Sequence, residues 1–491
     1  MNSVQTLPQT KIEDWKGLKL RGPTRVLSYH PANSIIEVLN RRFGMVSMLG
    51  LSTTLMLTWE GILVYFGSGL SNGGSAGLFY SYLLSWAGFL SVMTSMAELA
   101  SMAPTSSGQY YWVYMLAPKS VRKLLSYLTG WLSIAVWQAM VAMSGCLCAT
   151  IIQALLVLNY PDSYSSRGWH GTLLIWSAVM LAFFVNSVLG RWLPKIEGFI
   201  LYLHVFGFFG ILVPLMYLAK RVTAEQVFTQ WNNGGGWPSH GLSFLVGMIT
   251  NIGPFVGADG AVHMAEETHN AAIIVPWNII ITVLVNGCLG LGMLLTTLFC
   301  MGDLESAMAT ATHYPFVQIF FDSTKSYLGT TLMVNPKSFL PMNAILATCI
   351  ISLLLSLINI GSVRALENIL SFTVSSWEAA AFIPVALLLW NRLTGRINVA
   401  RFTPDDPRAK TDEALTWGPW RVPEPLGTCI NAIGLAWIIV AFFFSFWPGK
   451  TTVTPETMNY SSLMTGFWFL FGIGFYVIHG KKYYKGPVIE T

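Results

Sequence analysis

The chain has 491 residues, 53% hydrophobic and only 10% charged. That length would suit about three soluble domains, but soluble domains carry roughly 25% charged residues, so lipid rather than water is the main solvent. The net charge of +5 is mild and its basic residues cluster in short loops, which suits the cytoplasmic side of a membrane protein better than a nucleic-acid surface.

The N-terminal stretch is polar, so no cleavable signal peptide is expected and the first apolar segment directs insertion. A spanning helix needs about 20 mostly apolar residues. Scanning on that basis gives eleven candidates: 46–68, 76–97, 127–157, 171–190, 197–218, 242–264, 277–301, 341–361, 369–390, 427–447 and 461–479. These runs are far longer than the ~10-residue strands of a membrane barrel. The cysteines, at 146, 148, 288, 300, 349 and 429, lie in or beside apolar stretches. They show neither metal-ligand spacing nor an extracellular disulfide pattern.

Lys and Arg in short loops set the orientation. Lys11, Lys16, Lys19, Arg21, Arg25, Arg41 and Arg42 place residues 1–45 in the cytoplasm as a tail. Alternation then puts Lys119, Arg122, Lys123, Arg191 and Lys195 inside, as the rule requires. The turn-rich loop 219–241 falls outside with Lys220 and Arg221, a minor exception. After residue 301 the alternation fails. With 341–361 as the next span, Arg392, Arg396, Arg401, Arg408 and Lys410 would face outside, and so would Lys481, Lys482 and Lys485. One more crossing between 302 and 340 repairs both. The best candidate there is 314–334, but it carries Asp322 and Lys325 at its centre, each costing about 2.5–3.5 kcal/mol at mid-bilayer. The transporter domain is expected over 46–479, with a cytoplasmic tail at 480–491.

Three stretches, "MAELASMAPTSSGQYYWVYMLAP" (96–118), "GPFVGADGAVHMAEET" (253–268) and "TVTPETMNYSS" (452–462), resemble the fungal amino acid/choline transporter family. That family lies within the amino acid–polyamine–organocation superfamily, and the resemblance is to its choline and γ-aminobutyrate permeases. It implies an all-α polytopic membrane protein with a LeuT-like five-plus-five inverted repeat plus two C-terminal helices. It implies uptake of amino acids, γ-aminobutyrate, choline or related amines. Members carry an eighth helix and a cytoplasmic loop before "PMNAIL", whereas here "LGTTLMV" runs almost directly into "NPKSFLP". The eighth helix is therefore expected to be missing, leaving about 11 spans, at ~20 residues per span. A skipped exon or faulty gene model is favoured over a genuinely shortened protein.

Inverted-repeat transporters bind substrate at mid-membrane, where corresponding helices are broken. Spans one and six correspond. Span one holds Thr58, Trp59, Glu60 and Gly61; span six holds Gly253, Phe255, Gly257 and Asp259 within a run of three glycines and a proline. Such a run makes a poor helix interior. Unwound backbone must face protein or a hydrated cavity, half-helix N-termini attract a carboxylate, and freed carbonyls with an acid attract an amine. Glu60 and Asp259 are read as counter-ions to an ammonium group or as proton carriers. Trp59 and Phe255 are read as aromatic cover for a quaternary amine. The alternative for each acid is a bond to nearby backbone, and for each ring ordinary packing.

Weaker candidates follow. Glu98 and the loop after it are read as an inner gate, with a solvated or capping role as the alternative. Trp137 and Gln138 could line the cavity, although an interhelical hydrogen bond is favoured for Gln138. His263, Glu266 and Glu267 are spaced like metal ligands, but a gate salt bridge is favoured. Glu378 is an odd acid for the tenth span. Asn459 heads a glycosylation sequon on a predicted outer loop.

The expectation is a secondary transporter for a small amine-bearing solute, proton-coupled, in the plasma membrane, with no cofactor. The rivals are a nutrient sensor without flux, an exporter of a small amine or alkaloid metabolite, and an inactive truncated product. A membrane enzyme would need a nucleophile–base pair or metal cluster in one cavity, and "GSGLSNGG" (67–74) lacks the context of a dinucleotide loop.

Overall fold

The computed structural model describes residues 44–188, 193–302, 308, 310–334, 365–398, 415–455 and 457–487. They form long helices: α1 (Met45–Met56), α2 (Thr58–Ser71), α3 (Gly74–Met102), α4 (Gln109–Leu116), α5 (Arg122–Asn159), α6 (Gly168–Val188) and α7 (Leu193–Leu218). Then come α8 (Ala224–Thr229), α9 (His240–Gly247), α10 (Ile249–Ile252), α11 (Ala271–Phe299), α12 (Pro315–Thr324), α13 (Tyr327–Val334), α14 (Ala365–Leu393), α15 (Leu426–Phe444) and α16 (Ser461–Phe475). Two 3-10 turns, Gly253–Phe255 and Ala258–Glu267, lie between α10 and α11. The only strands among the described residues are the two-residue parallel pair Ile397–Asn398 and Leu415–Thr416.

Nine described helical runs are long and apolar enough to cross a membrane, and Gly168–Phe184 is a shorter apolar helix. Together they match ten of the eleven predicted spans; the predicted span 341–361 lies outside the described residues. The stretch 314–334, the best candidate for an extra crossing, is not a span. It splits into α12 and α13 at Lys325, which sits left-handed at φ 50° and pairs with Asp322 across 3.1 Å. A charge and its partner at the centre favour a water-facing kink over a continuous rod in lipid.

Lipid offers no hydrophobic drive between helices, so small residues and hydrogen bonds join them. Tyr82 donates to the Gly287 carbonyl (2.7 Å) and Trp86 to the Val283 carbonyl (3.0 Å), which fixes α3 against α11. Asn278 donates to Ser52 at 2.7 Å, which ties α11 to α1. At the centre Phe89 stacks on Trp377 at 4.8 Å and tilts against Phe255 at 5.7 Å, joining α3, α14 and the first 3-10 turn.

Candidate functional site

The first and sixth spanning helices break side by side. Helix α1 ends at Leu57, a non-glycine residue held left-handed at φ 45° and ψ 40°. That conformation costs an L-residue about 1–2 kcal/mol. Sequence reasoning placed the break within Thr58–Gly61, but it comes at Leu57, and those four residues open α2. In the sixth span, α10 tightens into the Gly253–Phe255 turn, Val256 extends at ψ 136°, and Gly257 turns left-handed at φ 113°. The Thr58 hydroxyl donates to the Pro254 carbonyl at 3.0 Å. A Cβ on Gly61 would lie 3.0 Å from both Cβ and Cγ of Pro254, a tight contact that glycine avoids. A Cβ on Gly257 would meet the Leu55 carbonyl at 3.0 Å. The two interruptions thus cradle one another.

Both acids sit in the first turn of their half-helices, where the positive end of the peptide dipoles favours negative charge. Their surroundings differ. Glu60 Oε1 meets His204 Nδ1 of α7 at 2.7 Å; the His204 side chain is 2% exposed and that of Glu60 31%. The contact holds with Nδ1–H as donor in either a neutral or a charged ring. Three buried polar atoms here have no hydrogen-bond partner: Glu60 Oε2, His204 Nε2 and the Trp59 indole nitrogen. Trp59 lies against His204 with ring centres 5.6 Å apart. The three atoms lie together beside the break in the first span.

Asp259 is buried and satisfied. Gln109 of α4 donates to Oδ2 at 2.6 Å and the Trp377 indole of α14 to Oδ1 at 3.3 Å. Both donors are neutral. Phe255 is fully buried between Tyr82 and Phe89. Gly253 is buried beside Leu370 of α14. Trp137 packs edge-on against His263 at 5.4 Å, and both it and Gln138 are half-buried on α5.

Other expectations need correction. Glu98 is neither solvated nor a cap. It is fully buried and held bidentately by Arg392 (2.9 and 2.8 Å), with the Val422 amide donating at 2.9 Å. Arg392 also donates to Glu424 and Asn431. Glu266 makes no salt bridge among the described residues. It accepts hydrogen bonds from the Thr105 hydroxyl (3.2 Å) and the Ser106 amide (3.1 Å), while His263 Nδ1 lies 2.9 Å from the Ser106 carbonyl. The loop at 103–108 is therefore latched to the second 3-10 turn by hydrogen bonds. Asn459 is buried, and its Nδ2, the atom that would carry a sugar, donates to the Ser445 and Trp447 carbonyls. Among the described residues no group of three His, Cys, Asp or Glu is placed to hold a metal. A cleft of about 540 Å³ lined by Tyr80, Trp231, His240, Gly241 and Phe244 contains none of the candidate residues.

Sequence reasoning missed His204 and Arg392. The one signal for His204 was a titratable residue inside the apolar run "FILYLHVFGFF". Arg392 read as a loop cation.

The family description "amino acid permease" matches residues 43–336 and, as a second match, 332–470. The junction falls where the charge rule asks for another crossing. Amino-acid permease 2 of Neurospora crassa is 23% identical over 91% of this chain and 85% of its own length. The choline transporter of Saccharomyces cerevisiae is 24% identical over 90% of this chain and 82% of its own. The swainsonine transporter swnT of Arthroderma benhamiae is 26% identical over 89% and 92%. A solved manganese transporter from Eremococcus coleocola, bound to an aromatic bis-isothiourea substituted compound, is 14% identical over 91% of this chain and 98% of that one, with a TM-score of 0.48. With a family match over most of its length, and relatives named as permeases and transporters rather than enzymes, the chain belongs to the amino acid permease family and is a multi-pass membrane transporter.

Proposed function

We propose that the protein moves a small amine-bearing solute, an amino acid, γ-aminobutyrate, choline or a related amine, across the plasma membrane by alternating access around the paired helix breaks. The observation that carries this reading is the group of unpartnered buried atoms at Trp59, Glu60 and His204. Glu60 Oε2 offers a carboxylate oxygen to an ammonium group. The Trp59 ring offers a π face to a quaternary amine. The relatives named amino-acid permease and choline transporter support the same substrate class.

The Glu60–His204 pair also supplies the proposed proton coupling. A proton on His204 neutralises Glu60 from one side, and an ammonium group neutralises it from the other. Proton and amine thus draw on one carboxylate, and binding of either changes the affinity for the other. Asp259, tied to α4 and α14 through Gln109 and Trp377, links the break to the elements that must move around it.

Uptake of labelled choline, γ-aminobutyrate and amino acids into cells expressing this chain tests the reading. Glu60→Gln is expected to abolish or uncouple uptake while membrane insertion stays intact. Unchanged uptake kinetics would refute the role of Glu60.

A further inference from the structure

Helix α14 carries a buried acid that the proposed cycle does not use. Glu378 is fully buried, and neither of its carboxyl oxygens has a hydrogen-bond partner among the described residues. No other membrane acid described is left so bare. Glu60 has His204, Glu98 has Arg392, Asp259 has Gln109 and Trp377, and Glu367 accepts from Ser68.

The elements packed against α14 are α3, α4, α5, α10, α15, α16 and the Gly253–Phe255 turn. Their titratable groups are Tyr80, Tyr82 and Glu98 on α3, Tyr110, Tyr111 and Tyr114 on α4, Arg122, Lys123, Tyr127, Cys146 and Cys148 on α5, and Cys429 on α15. The others carry none, and no group on any of them hydrogen-bonds to Glu378. The cation of α14 itself, Arg392, is spent on Glu98 and Glu424 and lies about 21 Å along the helix at 1.5 Å per residue. An ionised carboxylate is far more costly in such surroundings than a neutral acid. Acids inside membranes pair or mark proton and substrate pathways, and this one has no pair.

Its neighbours on α14 reach two other elements. Trp377 donates to Asp259 at the sixth-span break, and Ser375 shares a 2.8 Å hydrogen bond with Thr465 of α16. A rotation of α14 that wets Glu378 also disturbs the Trp377–Asp259 contact. We propose that Glu378 is a proton-binding site: it holds a proton as the neutral acid in the conformation described, and gives it to water when α14 exposes it. The carboxylate then regains a proton from water on the opposite side. This inference rests on the transport reading above for its coupling role, but not for its protonation.

Infrared spectroscopy of the full chain in lipid separates the two. The parent at neutral pH is expected to show the carbonyl stretch of a protonated carboxyl free of hydrogen bonds. Glu378→Gln should remove that band, and Glu378→Asp should shift it. In proteoliposomes with a pH-sensitive dye, Glu378→Gln should lower the number of protons moved per substrate, leaving those carried at Glu60 and His204, while still binding substrate and melting at the parental temperature. A band missing from the parent, or unchanged in Glu378→Gln, overturns the proposal. So does substrate-driven proton movement in Glu378→Gln equal to the parent's. A parent with the band but without any flux contradicts the transport reading and leaves the protonated acid standing.

Discussion

Two membrane acids with basic partners behave in opposite ways. Glu98 and Arg392 join α3 to α14, and every oxygen of that carboxylate is used: two guanidinium bonds, one backbone amide, with Asn431 and Glu424 completing the arginine. Glu60 and His204 join α2 to α7 through a single contact and leave Oε2 and Nε2 bare. The first pair is closed, and its chemistry is consumed in holding helices together. The second is open, and lies beside a left-handed break that costs free energy. Partial satisfaction, rather than the presence of a charge in the membrane, is what separates a candidate site from a clamp.

The contrast can be broken from the clamp side first. Arg392→Met should leave Glu98 buried and unpaired, a loss of about 3–5 kcal/mol, read as a large fall in melting temperature of the purified protein. Adding Glu98→Gln should recover most of that loss, because the uncompensated charge disappears. A mild effect from Arg392→Met alone would show that the clamp is not closed.

Next in size is Gly61→Ala. The added methyl meets Pro254 at 3.0 Å, and overpacking of this kind costs about 1–3 kcal/mol. Melting should fall while Glu60 chemistry is retained, and a variant as stable as the parent would argue against the close crossing of the two breaks. Smaller again is Asp259→Asn. It keeps one acceptor of the two used by Gln109 and Trp377, so the expected loss is about 1 kcal/mol. A loss several times larger would mean that Asp259 holds a charge the neutral donors do not account for.

The smallest effect is a pH dependence at Glu424, outside the spanning helices. Partial burial pushes its carboxyl up, but the Thr428 hydroxyl and Arg392 outweigh that and hold it below the ordinary carboxylate range. A depressed acid stabilises the fold above its unfolded value, and that contribution is lost as pH falls through its folded value. Glu424→Gln should therefore lower stability slightly at neutral pH and flatten the acid limb just below about pH 4.5. An acid limb identical to the parent's would remove Glu424 from the clamp.

Much of this architecture was legible in the sequence. Long apolar runs declare spanning helices because lipid leaves the backbone no other partner, and "GPFVGADG" declares a break because its residues cannot sustain a helix. The break in the first span was legible only roughly. It falls at Leu57, an ordinary residue held left-handed, and no propensity scale flags it. The partners of the acids were the least legible part. Arg392 lies 294 positions from Glu98 and His204 lies 144 from Glu60, and pairings at that separation depend on how the helices pack. The packing of Phe255 was hidden for a related reason: an aromatic in a broken segment can face either way, and here it packs against Tyr82 and Phe89.

The central claim, that Glu60 at the paired breaks receives the amine, is tested most directly by equilibrium binding. Labelled choline, γ-aminobutyrate and amino acids would be titrated onto purified parent and Glu60→Gln protein of matched melting temperature. The account predicts that at least one amine binds the parent and that Glu60→Gln weakens it about tenfold or more, the size of a lost charge-assisted contact. Equal binding by the two proteins would contradict it.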